Sequence, residues 1–420
     1  MLKLDKKLLI LSYTFPPFSG IGGRRWTKLA KFLARKGWQI YVIAAKLDVE
    51  KNSPWIKDIQ HENIKVYFIP TYYPSILTKT PKRLTQKIEY HFWWNYLKLK
   101  NKGRVFDETS FFAKELITKA EEVIETQRIK NLVCTIPQFG MASIATKIKA
   151  RNRSLNFILD YRDPWTDNKT FHGFEGLPEK RWKFEFKTEQ LAIKNADWVV
   201  SSTPQMTGWA KQKAKNKEKC ITILNGYDFE DFDINPLNRK RVNGTLKLSY
   251  VGSLYPSLEY ILIPFLKEIK SLEKKHNNFP FEINFYGRIS DNYLGLFSEY
   301  KLNSVKHHGL KNMQELSDIY INSDAFLMFS VKDHGFAFNT KFYEYLAFKK
   351  PIIHFGQSGE VSDFLEANNL GTGISPLNME KLLFKVLNDL NYNFGFNHSF
   401  DISQYNVSVL ANKFEALLIQ

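Results

Sequence analysis

The sequence contains little cysteine and no long apolar run. Only Cys134 and Cys220 occur among its 420 residues, too few for a disulfide framework and typical of a reducing compartment. No apolar stretch approaches the roughly 20 residues that a membrane-spanning helix needs. Residues 8–15 are apolar but short, and they run into Pro16 and Pro17 without a cleavage pattern. We therefore expect a first strand there rather than a signal peptide, and a cytoplasmic protein.

Acidic residues are few relative to basic ones. The chain has 60 lysines and arginines against 43 acidic residues, a formal net charge of +17, so polyanions or an anionic membrane face should attract it. No recognised nucleic-acid module is present, and we expect no nucleic-acid partner. The length allows two domains with separate cores.

Residues 74–104 combine basic and aromatic side chains, with Glu89 as the only acid. Such a segment suits an amphipathic helix lying on an anionic bilayer. Equally, a helix there can dock its aromatic rings on the first domain and leave its lysines in solvent. The candidate membrane-contacting residues are Lys82, Arg83, Trp93 and Trp94.

A glycine-rich turn follows the first predicted strand. Gly20, Gly22 and Gly23 let backbone N–H groups approach a phosphate or a sugar closely. Arg25 occupies the third glycine position of the dinucleotide fingerprint, which disfavours a flavin or nicotinamide cofactor. Arg24 and Arg25 are candidates for holding an acceptor or an anionic group, with helix-surface charges as the alternative.

Another predicted strand of the first half ends in Asp160, Arg162 and Asp163. In an open parallel sheet, ligands bind at the carboxyl ends of the strands. Asp163 and Arg162 are therefore candidate catalytic residues. The alternative is that the two form an ion pair that ties down the loop.

The second half repeats the alternation of strands and helices. Its first predicted strand leads into the loop 252–256, which is placed like the glycine-rich turn of the first half. Further on, Asn339 or Thr340 is expected to cap a helix in which Lys341 and Glu344 lie three residues apart. A lysine for phosphate beside a carboxylate for sugar hydroxyls suits a nucleotide-sugar site. The alternative is an ion pair on a solvated helix.

Taken together, these motifs resemble the GT-B glycosyltransferases, and within them the retaining family 4-like group that builds bacterial surface polysaccharides. The resemblance covers essentially the whole chain, although each motif is weak alone. The motifs that carry it are Pro16-Pro17 with Gly22-Gly23, residues 160–165, residues 224–228, residues 250–255, and residues 340–347 followed by 350–352.

The resemblance implies an α/β protein in which two Rossmann-like β/α/β domains face each other across a cleft. Residues 1–228 would form the acceptor-side domain and residues 229–245 a linker. Residues 246–400 would bind the nucleotide sugar, and a helix in residues 401–420 would cross back to the first domain.

The resemblance also implies roles for single residues. Glu344 would bind the donor ribose, Lys341 and the helix start would bind the diphosphate, and Arg288 and His308 would lie near the nucleobase. The expected donor-binding set is Gly22, Gly23, Gly252, Ser253, Arg288, His308, Asn339, Thr340, Lys341 and Glu344.

The chain departs from the family pattern at three points, one of which is that the histidine often found in the first domain has no clear counterpart. The earlier glutamate of the family's paired-glutamate pattern is replaced by Phe336, and Ser253 stands where a basic residue is common. These departures leave the fold unaffected but put the donor sugar and the catalytic detail in doubt.

The expected function is transfer of a sugar from a nucleotide-sugar donor to a hydroxyl of a glycan or lipid-linked glycan. The transfer would serve cell-surface polysaccharide, lipopolysaccharide or glycoprotein glycan synthesis, with retention of configuration and without a metal or other cofactor. We expect a cytoplasmic protein with peripheral attachment to the inner membrane face. The alternatives are a nucleotide-sugar epimerase of the same architecture and a non-catalytic sugar-nucleotide-binding protein.

Overall fold

The structure is a computed structural model that describes residues 5–18, 20–47, 51–78, 80–101, 108–168, 174–232, 245–276, 279–289, 291–392 and 396–419. The chain divides into two compact units, here called unit one and unit two. Unit one comprises Met1–Leu224 and Val407–Gln420, and unit two comprises Asn225–Asn406. Most of the expected linker, residues 233–244, lies outside the described residues.

Unit one is built on a parallel sheet of seven strands in the order β3-β2-β1-β4-β5-β6-β7. The strands are β1 (Lys7–Ser12), β2 (Gln39–Lys46), β3 (Ile64–Pro70), β4 (Asn131–Ile136), β5 (Asn156–Tyr161), β6 (Trp198–Ser201) and β7 (Cys220–Thr222). The central strands β1, β4 and β5 are almost wholly buried, as expected for strands covered by helices on both faces.

Helices alternate with these strands, and the last helix of the chain also belongs to unit one. The helices are α1 (Arg24–Arg35), α2 (Leu84–Lys100), α3 (Ala113–Gln127), α4 (Gly140–Arg151), α5 (Glu179–Asn195), α6 (Pro204–Lys213) and α13 (Val407–Leu418). The core joins the buried faces of β1, β2, α1 and α13.

Helix α13 makes apolar contacts with α1 and polar contacts with the residues that follow α1. Phe414 packs edge-on against Trp26 with ring centroids 4.9 Å apart, and Trp38 Nε1 donates a hydrogen bond of 2.9 Å to Glu415 Oε1. Burial alone would raise the pKa of Glu415, but hydrogen bonds from Lys36, Trp38 and Lys6 lower that pKa to about 2.

Unit two contains a second parallel sheet, of six strands in the order β10-β9-β8-β11-β12-β13. The strands are β8 (Leu246–Val251), β9 (Phe281–Tyr286), β10 (Val305–His307), β11 (Ala325–Phe329), β12 (Ile352–Phe355) and β13 (Gly371–Ile374). The helices are α7 (Glu259–Lys275), α8 (Asp291–Tyr300), α9 (Met313–Asn322), α10 (Thr340–Ala347), α11 (Glu360–Ala367) and α12 (Met379–Tyr392). Its core is separate and is rich in phenylalanine from β9, β11, β12 and α7.

The predicted alternation of strands and helices is confirmed in both units, and the predicted fold class is correct. The edge strand β3 was not expected from the sequence, because its residues are only half-buried and Lys65 interrupts its apolar pattern. Among the helices in the described residues, none is both long and apolar enough to cross a membrane.

Candidate functional site

The carboxyl edge of the unit-one sheet carries the glycine-rich turn that leads from β1 into α1. Gly20 has a φ of +136°, a conformation that favours glycine. A Cβ on Gly23 would stand 3.1 Å from the carbonyl oxygen of Thr14. A Cβ on Gly22 would stand 2.8 Å from Arg162 Nη1. The turn therefore packs closely on its surroundings, and Arg162 is its neighbour at Gly22.

Arg162 follows β5 directly and is held by main-chain carbonyls. Its Nε donates to the Ile136 carbonyl at 3.3 Å, and its Nη2 donates to the carbonyl of Pro137. Nη1 is buried and has no hydrogen-bond partner among the described residues. Burial lowers the pKa of Arg162, while the nearby carboxylates of Asp163 and Asp160 act in the opposite direction. A charged N–H donor thus points toward the Gly22 backbone, next to the start of α1.

Asp160 and Arg25 form a buried ion pair rather than part of a ligand site. Arg25 Nη2 lies 3.0 Å from Asp160 Oδ1, and the Asp160 side chain is fully buried. The guanidinium also donates to the carbonyl oxygens of Ile223 at 2.7 Å and Leu224 at 2.8 Å. Trp26 Nε1 donates a hydrogen bond of 2.8 Å to Asp160 Oδ2. The prediction that Arg25 binds an acceptor or an anionic group is therefore wrong, because internal acceptors hold its guanidinium.

Arg24, predicted as a second anion-binding residue, is also buried, with 3% of its surface exposed. Its expected alternative, a solvated helix charge, is therefore excluded for both arginines.

Asp163 is half-buried directly after Arg162, and its predicted catalytic role stays a prediction.

In unit two, the loops after β8 and β9 pack backbone against backbone. Gly252 N donates to the Tyr286 carbonyl at 2.8 Å. Gly287 has a φ of +145°, and a Cβ there would stand 2.0 Å from the Gly252 carbonyl oxygen. Ser253 accepts a hydrogen bond of 3.0 Å from the Tyr250 hydroxyl through its carbonyl. No local pattern in the sequence indicates that Gly287 is needed for this contact.

Arg288 and His308 stand at the same edge, after β9 and β10. Arg288 is exposed. His308 Nε2 lies 2.6 Å from Asn284 Oδ1, and its ring stacks on Tyr286 with centroids 4.7 Å apart. Burial lowers the pKa of His308, which favours the neutral ring. The stacked His308 and Tyr286 rings offer a flat surface, and their predicted contact with a nucleobase stays a prediction.

Helix α10 begins as the sequence predicts. The Asn339 side chain caps it by accepting a hydrogen bond of 2.9 Å from Phe342 N, and Thr340 is its first residue. With its N-terminus directed at the carboxyl edge of the sheet, α10 offers backbone N–H groups to an anion.

Lys341 and Glu344 form a mostly buried pair with a third residue, Tyr320. Lys341 Nζ donates to Glu344 Oε2 at 2.8 Å and to the Tyr320 hydroxyl at 3.2 Å. The Tyr320 hydroxyl donates to Glu344 Oε2 at 2.8 Å. The Glu344 side chain is only 5% exposed and that of Lys341 is 27% exposed, so this is not a solvated helix pair. An ammonium group has three N–H donors, and two of them serve these described contacts.

Phe336 lies where the family pattern has its earlier glutamate, and it is buried. It stacks on His334 with ring centroids 5.3 Å apart. This position supplies apolar packing and no carboxylate. Among the predicted donor-binding residues at α10, Glu344 is therefore the residue that supplies a carboxylate.

The predicted membrane-contacting residues divide into two groups. Lys82 and Arg83 are exposed just before α2, whereas Trp93 and Trp94 are half-buried and pack around Leu97. The two tryptophans thus lie on the side of α2 that packs on unit one, and their predicted membrane contact stays a prediction.

Comparison with known proteins gives structural matches only: no family model matches the chain, and no curated protein matches it. HepE of Anabaena in complex with UDP-glucose is similar, with a TM-score of 0.64 and 12% identity over 98% of this chain and 99% of that one. Sucrose-phosphate synthase of Thermosynechococcus elongatus gives a TM-score of 0.62 and 14% identity over 98% of each chain. WaaG, a glycosyltransferase involved in lipopolysaccharide biosynthesis, gives a TM-score of 0.60 and 12% identity over 98% of this chain and 99% of that one.

The chain has the GT-B fold. Identities this low establish the shared architecture and leave the roles of single residues open. The GT-B fold predicted from the motif order is thereby confirmed. The donor and catalytic residues remain predictions whose positions are described above.

Proposed function

We propose that this GT-B protein is a glycosyltransferase that moves a sugar from a nucleotide-sugar donor to a hydroxyl acceptor. The observation that carries the proposal is the Lys341–Glu344 pair at the capped start of α10. A cation for the diphosphate and a carboxylate for sugar hydroxyls stand there on one helix turn. The similarity in fold to HepE in complex with UDP-glucose and to the glycosyltransferase WaaG supports the same reaction class.

In the reaction, the bond between the anomeric carbon and the diphosphate oxygen breaks while the acceptor oxygen bonds to that carbon. The proton of the acceptor hydroxyl passes to solvent water, and the nucleoside diphosphate leaves with added negative charge. Lys341, Arg288 and the first N–H groups of α10 would stabilise that charge. These groups can perform this task without a metal, and we propose a metal-independent reaction.

Within unit one, Arg162 is a further candidate contact for an anionic group. Arg162 Nη1 has no hydrogen-bond partner in the described part of the chain and lies next to Gly22. An oxygen of an anionic ligand bound there would complete the hydrogen bonding of the guanidinium. Asp163 would position the acceptor hydroxyl or stabilise positive charge on the sugar ring. Retention of configuration is proposed from the family resemblance alone.

We propose the cytoplasm as the site of the reaction and a glycan or lipid-linked glycan as the acceptor. The two cysteines, both free and buried, support a reducing compartment.

Calorimetric titration with nucleoside diphosphates and their sugars tests the donor site. We expect selective binding of one nucleotide, weakened about tenfold to a hundredfold by Lys341→Gln, since a charged hydrogen bond contributes about 1.5–3 kcal/mol. The matched control is Lys267→Gln, because Lys267 is an exposed lysine of α7 in the same unit. Absence of binding in folded protein would overturn the donor site.

The burial of Phe336 favours a second candidate, a protein that binds sugar nucleotides without catalysis. The two candidates differ in turnover. A glycosyltransferase releases nucleoside diphosphate when an acceptor is supplied, whereas a binding protein returns the nucleotide sugar unchanged.

A further inference from the structure

Helix α2 presents a line of exposed apolar side chains along its outer side. Leu84, Ile88, Phe92, Tyr96 and Leu99 are 75%, 63%, 61%, 44% and 83% exposed. Their spacing of four, four, four and three residues keeps them on one side of the helix. We call this line the α2 stripe. It extends over about 22 Å at 1.5 Å per residue.

The opposite side of α2 holds the helix on unit one. Leu97 is fully buried and packs with Leu77, while Tyr90, Trp93 and Trp94 pack partly buried around them. Burial of aromatic area on this side fixes which residues face outward. The α2 stripe is therefore a fixed feature of the surface of unit one, and it consists of residues other than the predicted donor and catalytic ones.

The C-terminal end of α2 is also anchored to α5. Arg181 Nη1 donates a hydrogen bond of 2.6 Å to the carbonyl oxygen of Asn101, the residue that follows α2. The Arg181 guanidinium lies 5.0 Å from the ring of Phe184, which is 48% exposed. Phe184 is thus an exposed aromatic residue of α5, beside the arginine that anchors the end of α2.

Positive charges border the stripe. Five basic residues within or just before α2 are exposed, against one exposed acid, Glu89. The basic residues are Lys82, Arg83, Lys87, Lys98 and Lys100. Lysine and arginine stems can lie along the apolar boundary while their charges reach lipid phosphates.

We propose that the α2 stripe docks unit one onto an anionic lipid bilayer, with its apolar side chains in the interfacial layer and the flanking cations on the headgroups. Charge complementarity decides the occupant. A second copy would bring five more cations against this face, whereas an anionic bilayer neutralises them. The net charge of +17 favours the same partner.

Sedimentation of the full-length protein with phosphatidylcholine vesicles, with and without phosphatidylglycerol, tests the docking. We expect binding to the vesicles that contain phosphatidylglycerol and little binding to pure phosphatidylcholine. Added salt should weaken the binding, since it screens the headgroup contacts. The double substitution Ile88→Gln with Phe92→Gln should lower the partition coefficient at least about tenfold, because it removes two inserted side chains.

The matched control replaces an exposed leucine elsewhere. Leu310→Gln alters a leucine of unit two that is 62% exposed, and it should leave vesicle binding unchanged. Thermal melts of all variants verify folding. Because the assay needs no donor or acceptor, its outcome is independent of the proposed glycosyltransferase activity.

Three results would overturn the proposal. The first is no binding to phosphatidylglycerol vesicles by folded protein. The second is binding that the double variant retains in full. The third is a dimer in sedimentation velocity that the double variant dissociates without any vesicle binding, which would assign the α2 stripe to a second copy.

Discussion

Arg162 Nη1 lies against Gly22, so closely that a Cβ on the glycine would stand 2.8 Å from it. The contact joins the turn before α1 to the residue that follows β5. Since Nη1 is buried without a hydrogen-bond partner among the described residues, the guanidinium has both N–H donors of Nη1 to offer a ligand at this turn. In our account, an oxygen of an anionic ligand accepts a hydrogen bond from this nitrogen.

Gly22→Ala should weaken donor binding about tenfold while changing the melting temperature little. The added methyl group would push the Arg162 guanidinium away from the turn and occupy the space that the ligand oxygen needs. Calorimetric titration with the bound nucleotide measures the change in affinity.

The control for this substitution is Gly208→Ala in α6. A Cβ there meets nothing within 4 Å, so donor affinity should be unchanged. Equal affinities of Gly22→Ala and wild type would remove Gly22 from the donor site.

The buried pair of Arg25 and Asp160 predicts a large stability effect in unit one. Arg25→Met leaves the fully buried Asp160 carboxylate without its cation, so the free energy of unfolding should fall by about 3–5 kcal/mol. Urea denaturation followed by circular dichroism measures the loss.

The ion pair of Lys183 and Glu179 provides the comparison, since its side chains are 65% and 79% exposed. Lys183→Met should cost less than about 1 kcal/mol, as solvent screens exposed pairs. If both variants were equally stable, the structural role assigned to Arg25 would be wrong.

Gly287→Ala should destabilise unit two by at least about 2 kcal/mol, because both its φ of +145° and the close Gly252 carbonyl oppose a side chain. Thermal unfolding reports this loss. In contrast, Gly295→Ala lies in α8 with open space around a Cβ and should be neutral or stabilising by about 0.5–1 kcal/mol. A harmless Gly287→Ala would contradict the described packing of the two loops.

Burial lowers the pKa of His354 to about 4, which predicts a dependence of stability on pH. The folded state keeps this ring neutral, hydrogen-bonded to Ser330 Oγ at 2.7 Å. The unfolded chain binds a proton below its ordinary pKa of about 6.5. The contribution of the neutral His354 ring to the free energy of unfolding is therefore complete above about pH 7. About 3 kcal/mol of that contribution is lost as the pH falls from 6.5 toward 4.

Unfolding of wild type and His354→Gln at a series of pH values isolates this effect from the titration of carboxylates. The stability of wild type relative to His354→Gln should fall by about 3 kcal/mol between pH 7 and 4. The exposed His398 supplies the control, and His398→Gln should keep the wild-type dependence. A pH-independent difference for His354→Gln would contradict the lowered pKa.

The features that the sequence predicted correctly are those that depend on interactions between residues close together in the chain. Asn339 as the cap of α10 follows from residue type and position, and the approach of Lys341 and Glu344 follows from their spacing of three residues. The two parallel sheets follow from the alternation of apolar strands with helical periodicity.

Local patterns did not predict the contacts between residues that are far apart in the chain. Arg25 meets Asp160, 135 positions away in the chain, so an arginine beside a glycine turn was misread as a ligand contact. Tyr320 completes the Lys341–Glu344 pair from another helix, and no local signal marks it. In α2, the sequence showed many aromatic residues but not which of them pack inward.

The most direct test of the central claim is turnover of the bound nucleotide sugar with a glycan or lipid-linked glycan fraction as acceptor. We expect acceptor-dependent release of the nucleoside diphosphate and labelled sugar in the acceptor. Both should be strongly reduced in Lys341→Gln and Arg162→Gln and retained in Lys267→Gln. Tight binding without diphosphate release, or an epimerised nucleotide sugar formed without any acceptor, would contradict it.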